Sequence, residues 1–483
     1  MGTTIDLFGK AVPTATKQTA KTNAYESCKD YRHWKYLFLT ALTGAAVAGV
    51  SLIYWGSPLS LVTRIYGLVL YPLGTLVTEN ALQIAAPRFF DLGLHRLAFL
   101  EIPVKVFATN ALVVLIAGGV ILASRVQTRF WCRNLCPSGA LLGLCSWRPL
   151  LRRVVNDDCT RCGQCVKECP TGAIGEDPHT YVPAECIVCN RCVEICPESA
   201  VRFQAGRQLP AAEGREIDLG RRGVLAAGVV GLFSAGIVKT DLKQPSAVGS
   251  KHPLRAEDLI RPPGALPEPD FLKRCIRCGE CMKACPTNTL QPVWLKAGLD
   301  GLFSPVLVPR HGACAVNCNV CGRVCPTGAI RSLDLREKNQ AKIGTAWIVR
   351  QNCLVWEQDK KCLVCDEVCP YNAVAFRPIS ERKNPVPFVL ENRCIGCGWC
   401  ENKCPVGGAS AIRVNIIGEI RLADGSYREK AAEFGLKLKA KNHTSDRLGQ
   451  GTFESTRPSI TEEPPKRPES SEEGTLPGGF IVK

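Results

Sequence analysis

A chain of 483 residues is too long for one folding unit of ordinary size, so two to four domains are expected. Its 28 cysteines cannot be a disulfide scaffold of the small secreted kind, and their spacing, given below, points elsewhere. The formal charge of +16 invites nucleic acid as a partner, but that sum counts every cysteine as neutral.

Residues 1–35 are polar and basic, with Lys10, Lys17, Lys21, Lys29, Arg32 and Lys35, and carry Cys28. Tyr36–Trp55 is then 20 residues without a charge, enough to span a bilayer. Aromatic pairs at its ends, Trp34 with Tyr36 and Tyr54 with Trp55, suit the two interfaces. Ile65–Thr78 is uncharged over only 14 residues and contains Pro72 and Gly74, which favours an interfacial piece. Val106–Ser124 predicts a second span of 19 residues. Arg125, Arg129, Arg133, Arg148, Arg152 and Arg153 follow it with no acid among them, so this side is expected in the cytoplasm. Residues 36–130 thus read as a membrane anchor with spans at about 36–55 and 106–124. Just beyond lies Cys132-x3-Cys136-Pro137, with Cys145 further on. This half motif could ligate jointly with Cys28 or Cys145, or present thiols at the membrane surface.

Residues 131–205 hold the first complete pattern. Its runs are Cys159-x2-Cys162-x2-Cys165-x3-Cys169-Pro170 and Cys186-x2-Cys189-x2-Cys192-x3-Cys196-Pro197. A four-iron cubane needs four converging thiolates, and a tight Cys-x2-Cys-x2-Cys loop supplies three. The fourth cysteine points away and serves the neighbouring cube. The following proline fixes its own φ and turns the chain out of the loop. This crossed rule predicts Cys159, Cys162, Cys165 and Cys196 on one [4Fe-4S] cluster, and Cys186, Cys189, Cys192 and Cys169 on the other.

In residues 206–270, Gly220-Arg221-Arg222-Gly223 precedes an uncharged run to Val238. A twin arginine ahead of a short apolar run reads as a Tat-type export signal. The bland alternative is a third anchor, which places the remainder outside the cytoplasm equally well. A proline-rich linker (Arg261-Pro262-Pro263-Gly264) leads to residues 271–438, where four more runs stand in sequence. They are Cys275, Cys278, Cys281 and Cys285; Cys314, Cys318, Cys321 and Cys325; Cys353, Cys362, Cys365 and Cys369; and Cys394, Cys397, Cys400 and Cys404, each ending in Cys-Pro. Cys314-x3-Cys318-x2-Cys321 alone matches the loop of radical S-adenosylmethionine enzymes, but Cys325 offers the fourth ligand those enzymes lack. The x8 gap after Cys353 reads as a loop insertion. Sequential and nested pairings of the four runs both satisfy the crossed rule. Residues 439–483 are rich in Glu, Lys, Pro, Ser and Thr and are expected to be a disordered tail.

Six cubes at about −2 each would leave the loaded chain near +4, roughly. Lys273, Arg274, Arg277 and Lys283 then look like compensation for cluster charge, and nucleic acid loses its support. The expected fold class is α+β: a transmembrane helical anchor plus ferredoxin-like 2[4Fe-4S] modules, one N-terminal pair and one C-terminal four-cluster domain.

The membrane section with Cys132-x3-Cys136-Pro137 and the first cysteine pair resembles the NapH-type membrane ferredoxins and their methylamine-utilisation relatives. The twin arginine, the Arg261-Pro262-Pro263-Gly264 linker and the four runs with Cys353-x8-Cys362 resemble the NapG-type exported ferredoxins. The chain is therefore similar to a fusion of the two, over roughly residues 36–410. That resemblance implies quinol oxidation at a bacterial inner membrane and electron delivery to an exported reductase or cytochrome.

There is no Cys-x2-Cys-His for covalent haem, and the two expected spans contain no histidine for a b-type haem. No glycine-rich loop for NAD or flavin is present. No residues suggest catalysis on a substrate of the chain's own; Glu79, His95 and Glu101 are the available proton acceptors for a quinol. The reading is a membrane-anchored one-electron conduit from quinol or a cytoplasmic donor, with its two-cluster domain cytoplasmic and its four-cluster domain periplasmic. The rival is an accessory factor that matures a partner reductase.

Overall fold

The computed structural model describes residues 31–91, 104–107, 110–126, 129–146, 149–205, 220–239, 259–294, 300–380 and 382–438. Cys28, His95, Glu101, residues 240–258 of the linker and the tail at 439–483 lie outside them. The chain divides into two compact units, the first comprising residues 1–256, 269–283 and 292–305, the second 257–268, 284–291 and 306–483.

The first unit is built on apolar helices. His33–Val47 stops where Gly49 takes a left-handed φ of 80°. The Gly49 N–H donates to Ala46 O at 2.9 Å and the Val50 N–H to Ala45 O at 3.0 Å, a Schellman cap that satisfies the last carbonyls. The span expected at Tyr36–Trp55 is therefore broken at Gly49, and only a short helix, Ile53–Gly56, follows. The opposite correction applies next. Pro58–Asp91 is helical throughout, 34 residues, and among the described residues it is the one helix long and apolar enough to cross a membrane. It absorbs the piece expected to be interfacial at 65–78 and runs on past Arg64, Glu79 and Arg88, the charges that bounded that window. A π-turn at Tyr66–Leu70 widens it just before Pro72, which brings no N–H. The second expected span, Val106–Ser124, is a helix over Asn110–Val126 whose apolar part, Ala111–Ser124, is shorter.

Arg221–Lys239 packs along His33–Val47 through small residues. A Cβ at Gly231 would overlap the Ala41 carbonyl, and one at Gly44 would lie 2.6 Å from Gly228 O. Such glycines let two backbones approach closely.

Two cysteine loops are held at opposite ends of His33–Val47. At its start, Lys35 Nζ meets both carboxylate oxygens of Glu185 at 2.6 and 2.7 Å, with side chains only 3% and 4% exposed. Arg32 also donates to Gly172 O at 2.5 Å. Both contacts anchor the two-cluster module, in which strand Leu151–Val155 pairs antiparallel with Val201–Ala205. Beyond the helix's other end, Arg277 donates to Ser51 O at 3.4 Å and stacks over the Tyr54 ring at 4.3 Å. Arg64 Nε donates to Arg277 O at 3.1 Å. Leu68 packs on the loop at Gly279 and Met282 completes the contact. The fifteen residues of that helix rise about 22 Å.

The second unit has only two-stranded sheets among its described strands wholly inside it: Thr345–Ile348 with Ile412–Asn415, and Val374–Arg377 with Val386–Val389. Such sheets are marginal by themselves. They close over a core that mixes Ala346, Tyr371, Val374, Ile395 and Ile412 with Cys369, Cys394 and Cys400. The x8 insertion is folded. Helix Leu354–Gln358 ends at left-handed Asp359, whose carboxylate accepts the N–H groups of Lys383 and Asn384 at 3.1 Å each. Trp356 Nε1 donates to Pro387 O at 3.3 Å.

Breaking the Lys35–Glu185 pair strands a buried carboxylate. Lys35→Met is expected to cost about 3–5 kcal/mol in denaturant unfolding, and Lys35→Met with Glu185→Leu to recover most of it.

Candidate iron–sulfur centres

In the second unit three sets of four cysteines come together, each with its fourth member from a neighbouring run. In the two-cluster module, Cys165 lies within electrostatic reach of Cys159 and Cys162, and Cys186 within reach of Cys189, Cys192 and the borrowed Cys169. Cys196, expected with the first group, is half-buried after helix Arg191–Glu194. In the second unit, Cys285, Cys314, Cys318 and Cys321 line one cavity; Cys353, Cys362, Cys365 and Cys404 line another; Cys369, Cys394, Cys397 and Cys400 line a third. In each, three cysteines come from one run and the fourth from its neighbour in sequence, so nested pairing is set aside. The fourth thiol beside Cys314, Cys318 and Cys321 is Cys285, not the expected Cys325, and it fills the place that a radical-enzyme loop would leave open. Cys275, Cys278 and Cys281 form the loop held by Arg64 and Tyr54 in the first unit.

These donors fit cubanes. Each thiolate of a cube binds a different iron, so the sulfurs stand apart; among the described residues no three Cys, His, Asp or Glu side chains converge on a single ion. None of the described cysteines forms a disulfide. The regular runs share a backbone device. The residues on either side of the second cysteine are both left-handed: Arg161 and Gly163, Val188 and Asn190, Arg277 and Gly279, Gly396 and Gly398, with φ between 50° and 86°. This curls the loop so that peptide N–H groups face its concave side. The irregular loops at Cys318 and Cys362 do without it; Asn319 and Leu363 have φ of −133° and −121°.

Sulfur atoms also receive donors. Ala346 N–H reaches Cys394 Sγ at 3.3 Å, Ala373 N–H reaches Cys369 Sγ at 3.3 Å, and Ile330 N–H reaches Cys325 Sγ at 3.5 Å. A threonine two residues after the fourth cysteine recurs: Thr171, Thr287 and Thr327 place Oγ1 3.7, 3.6 and 3.8 Å from Cys169, Cys285 and Cys325 Sγ. The Cys-Pro-Thr triplet was the signal available for it. The bound cubes supply one-electron redox chemistry; hydrogen bonds to sulfur and local charge tune it.

The expected charge compensation is relocated. Lys273 pairs with Asp270 at 3.9 Å, Lys283 with Glu280 at 2.7 Å and Arg277 with Asp300 at 3.3 Å, while Arg274 is exposed. Further cations are buried beside cysteines: Arg153 donates to Cys165 Sγ at 3.5 Å, and Lys338 and Lys342 are attracted to Cys314 and Cys394. Cys136 is buried at the end of a π-turn, Trp131–Leu135, and its sulfur caps helix Pro137–Cys145 by accepting the Gly139 N–H at 3.3 Å. Cys132 is half-buried beside it and Cys145 is exposed. Glu79 is half-buried on its helix and accepts from Gln83 at 3.0 Å.

Burial, reinforced by neighbouring thiols, pushes Cys321 and Cys365 up to about 12 and raises Cys165, Cys186, Cys314 and Cys394. In the unfolded chain these thiols lose protons near 9.0. The apo fold is therefore expected to keep its full stability below that value and to lose it as pH rises from about 9 towards 12; the loaded fold, with thiolates on iron, is not. Urea midpoints of stripped and loaded protein at pH 8 and 10 check the sign. Gly396→Ala combines a φ of 82° with a Cβ 2.7 Å from Gly344 O. It is expected to cost more than about 2 kcal/mol and about one cube of iron.

Comparison with known proteins agrees with this geometry. A 4Fe-4S dicluster domain model matches residues 151–200, and a second such model matches 274–329 and 360–408. A 4Fe-4S binding domain model matches residues 109–156. Each dicluster match spans two runs in sequence, and the last begins after Cys353, at the irregular gap. The methylamine utilization ferredoxin-type protein MauM of Methylorubrum extorquens is 38% identical over 203 residues, 41% of this chain and 87% of that protein. MauM of Paracoccus denitrificans is 40% identical over 160 residues, 32% of this chain and 70% of its own. Ferredoxin-type protein NapG of Escherichia coli is 36% identical over 154 residues, 30% and 65% respectively. Cysteine loops, cavities and relatives thus agree, and the chain belongs, over 41% of its length, to the MauM family of 4Fe-4S ferredoxin-type electron-transfer proteins, and is related to NapG over 30% of it.

Proposed function

We propose that this chain is a membrane-anchored conduit with six [4Fe-4S] clusters, all 24 cysteines of the six runs serving as iron ligands. The observation that carries the reading is the placement of the Cys186 and Cys275 loops towards opposite ends of His33–Val47, an apolar helix about 22 Å long. A bilayer around Pro58–Asp91 would then separate a cytoplasmic two-cluster module from an exported cysteine loop, in line with the twin arginine and the basic residues after Ser124. Quinol in this helical section is the proposed donor, supported by the likeness to NapH-type ferredoxins and by the binding-domain match over 109–156. The proposed acceptor is an exported redox partner.

Within the second unit electrons have a short route. The Cys314 N–H donates to Cys397 O at 2.8 Å, which joins the first cavity to the third. Tyr371, 3% exposed, stands between them, within reach of Cys314 and Cys397. Cys400 in turn lies within reach of Cys365, in the remaining cavity. The chain's role is to hold these thiolate sets in a row, exclude water and pre-place hydrogen bonds to sulfur.

The test is an EPR titration of the membrane-bound protein, comparing a reduced quinol analogue with dithionite. Quinol-reducible clusters are the expected result. If only dithionite reduces them, the quinol part of the proposal is wrong. Partner binding that persists after Cys365→Ser, with no electron transfer lost, would favour an escort role instead.

A further inference from the structure

Besides Arg64 at the Cys275 loop, three buried cations lie against cysteine loops without a carboxylate at ion-pair distance among the described residues. Arg153 is 5% exposed and donates to Cys165 Sγ at 3.5 Å and to Pro178 O. Lys338 is 3% exposed; its Nζ donates to Ala315 O at 2.5 Å, one residue from Cys314. Lys342 is also 3% exposed and donates to Glu391 O at 2.6 Å; Cys394 attracts it most, and the Glu391 carboxylate, beyond ion-pair distance, less. Backbone carbonyls alone do not repay the burial of an ammonium or guanidinium group. A nearby anion must, and a cube with its four thiolates is a net anion that gains one more negative charge on reduction.

Other loops lack this partner. Beside Cys186 the buried Lys35 is already neutralised by Glu185. Beside Cys365 the charged neighbour is Asp366, and Lys361, next to Cys362, is exposed. A screened surface charge contributes little at these distances.

We propose that Arg153, Lys338 and Lys342 are dedicated counterions of the cubes at Cys165, Cys314 and Cys394, raising their reduction potentials above those of the cubes at Cys186 and Cys365. The two-cluster module and the module of the third and fourth runs then each join one easily reduced cube to one that is harder to reduce. Each step is the gain of a single electron from the reductant by one cube. This inference rests on the cluster assignment above.

The experiment is an EPR-monitored potentiometric titration of full-length loaded protein, with dithionite as reductant and iron content measured in parallel. Arg153→Gln, Lys338→Gln and Lys342→Gln are each expected to weaken one reduction step about tenfold, a shift of about 59 mV to lower potential, and to leave the other steps in place. Arg153→Lys and Lys338→Arg should restore the original potential. Lys361→Gln should move its step far less. Unshifted steps at full iron content overturn the proposal, as does a Lys361→Gln shift as large as that of Lys342→Gln. Should the glutamine variants lose iron, the charge-keeping variants decide: cubes loaded at the original potential support the counterion role, and cubes lost there too show that shape, not charge, is supplied. Failure of the cluster assignment itself would look different, as iron and spin counts of the unmodified protein too low for cubes at these thiols.

Discussion

A four-iron cube demands four thiolates from four directions, and a tight loop of the chain reaches it from three. The second unit follows from that shortfall. No run can complete its own site, so each must lie beside another, and the fourth cysteine of one becomes part of its neighbour's wall. With only two-stranded sheets and single-turn helices around them, the thiolate sets occupy the positions that leucine and valine hold in an ordinary core. Cys369, Cys394 and Cys400 are as buried as the aliphatic residues beside them. The cubes are therefore the core of this fold, and the protein around them is a thin shell.

Much of this was legible as spacing. Cys-x2-Cys-x2-Cys-x3-Cys-Pro names both the donor set and its crossing, because the geometry is local and repeats. What spacing does not encode is which runs meet. Cys285 could have served the second run or, in a nested fold, the fourth; the choice depends on chain path between runs. Helix limits failed for a different reason. An uncharged window ignores Gly49, whose left-handed backbone ends a helix as firmly as any charge. The same window treats Arg64 as a boundary, although its guanidinium is buried against Arg277 and Phe303, 4.5 Å from the ring. A long side chain lets the helix axis continue where its charge does not.

Charge shows the same divide between sequence and space. Basic residues adjacent to cysteines in the chain were the natural candidates to offset the clusters, yet Lys273, Lys283 and Arg277 spend their charge on Asp270, Glu280 and Asp300. Lys338 and Lys342 follow Cys325 by thirteen and seventeen residues. They return to cysteines only because helix Leu335–Lys338 and strand Thr345–Ile348 bring them back. Electrostatic partnership in this protein is set by folding, and linear proximity to a ligand says little about it.

The helix that follows the twin arginine carries one more consequence. A leader peptide made for removal is a passenger: cutting it leaves the mature surface whole. Arg221–Lys239 is instead clasped along His33–Val47, with Gly231 seated on the Ala41 carbonyl and Gly44 against Gly228. Excision would open a groove floored by exposed peptide groups in the most apolar part of the first unit. The segment that reads as an address label is thus also a structural beam of the first unit.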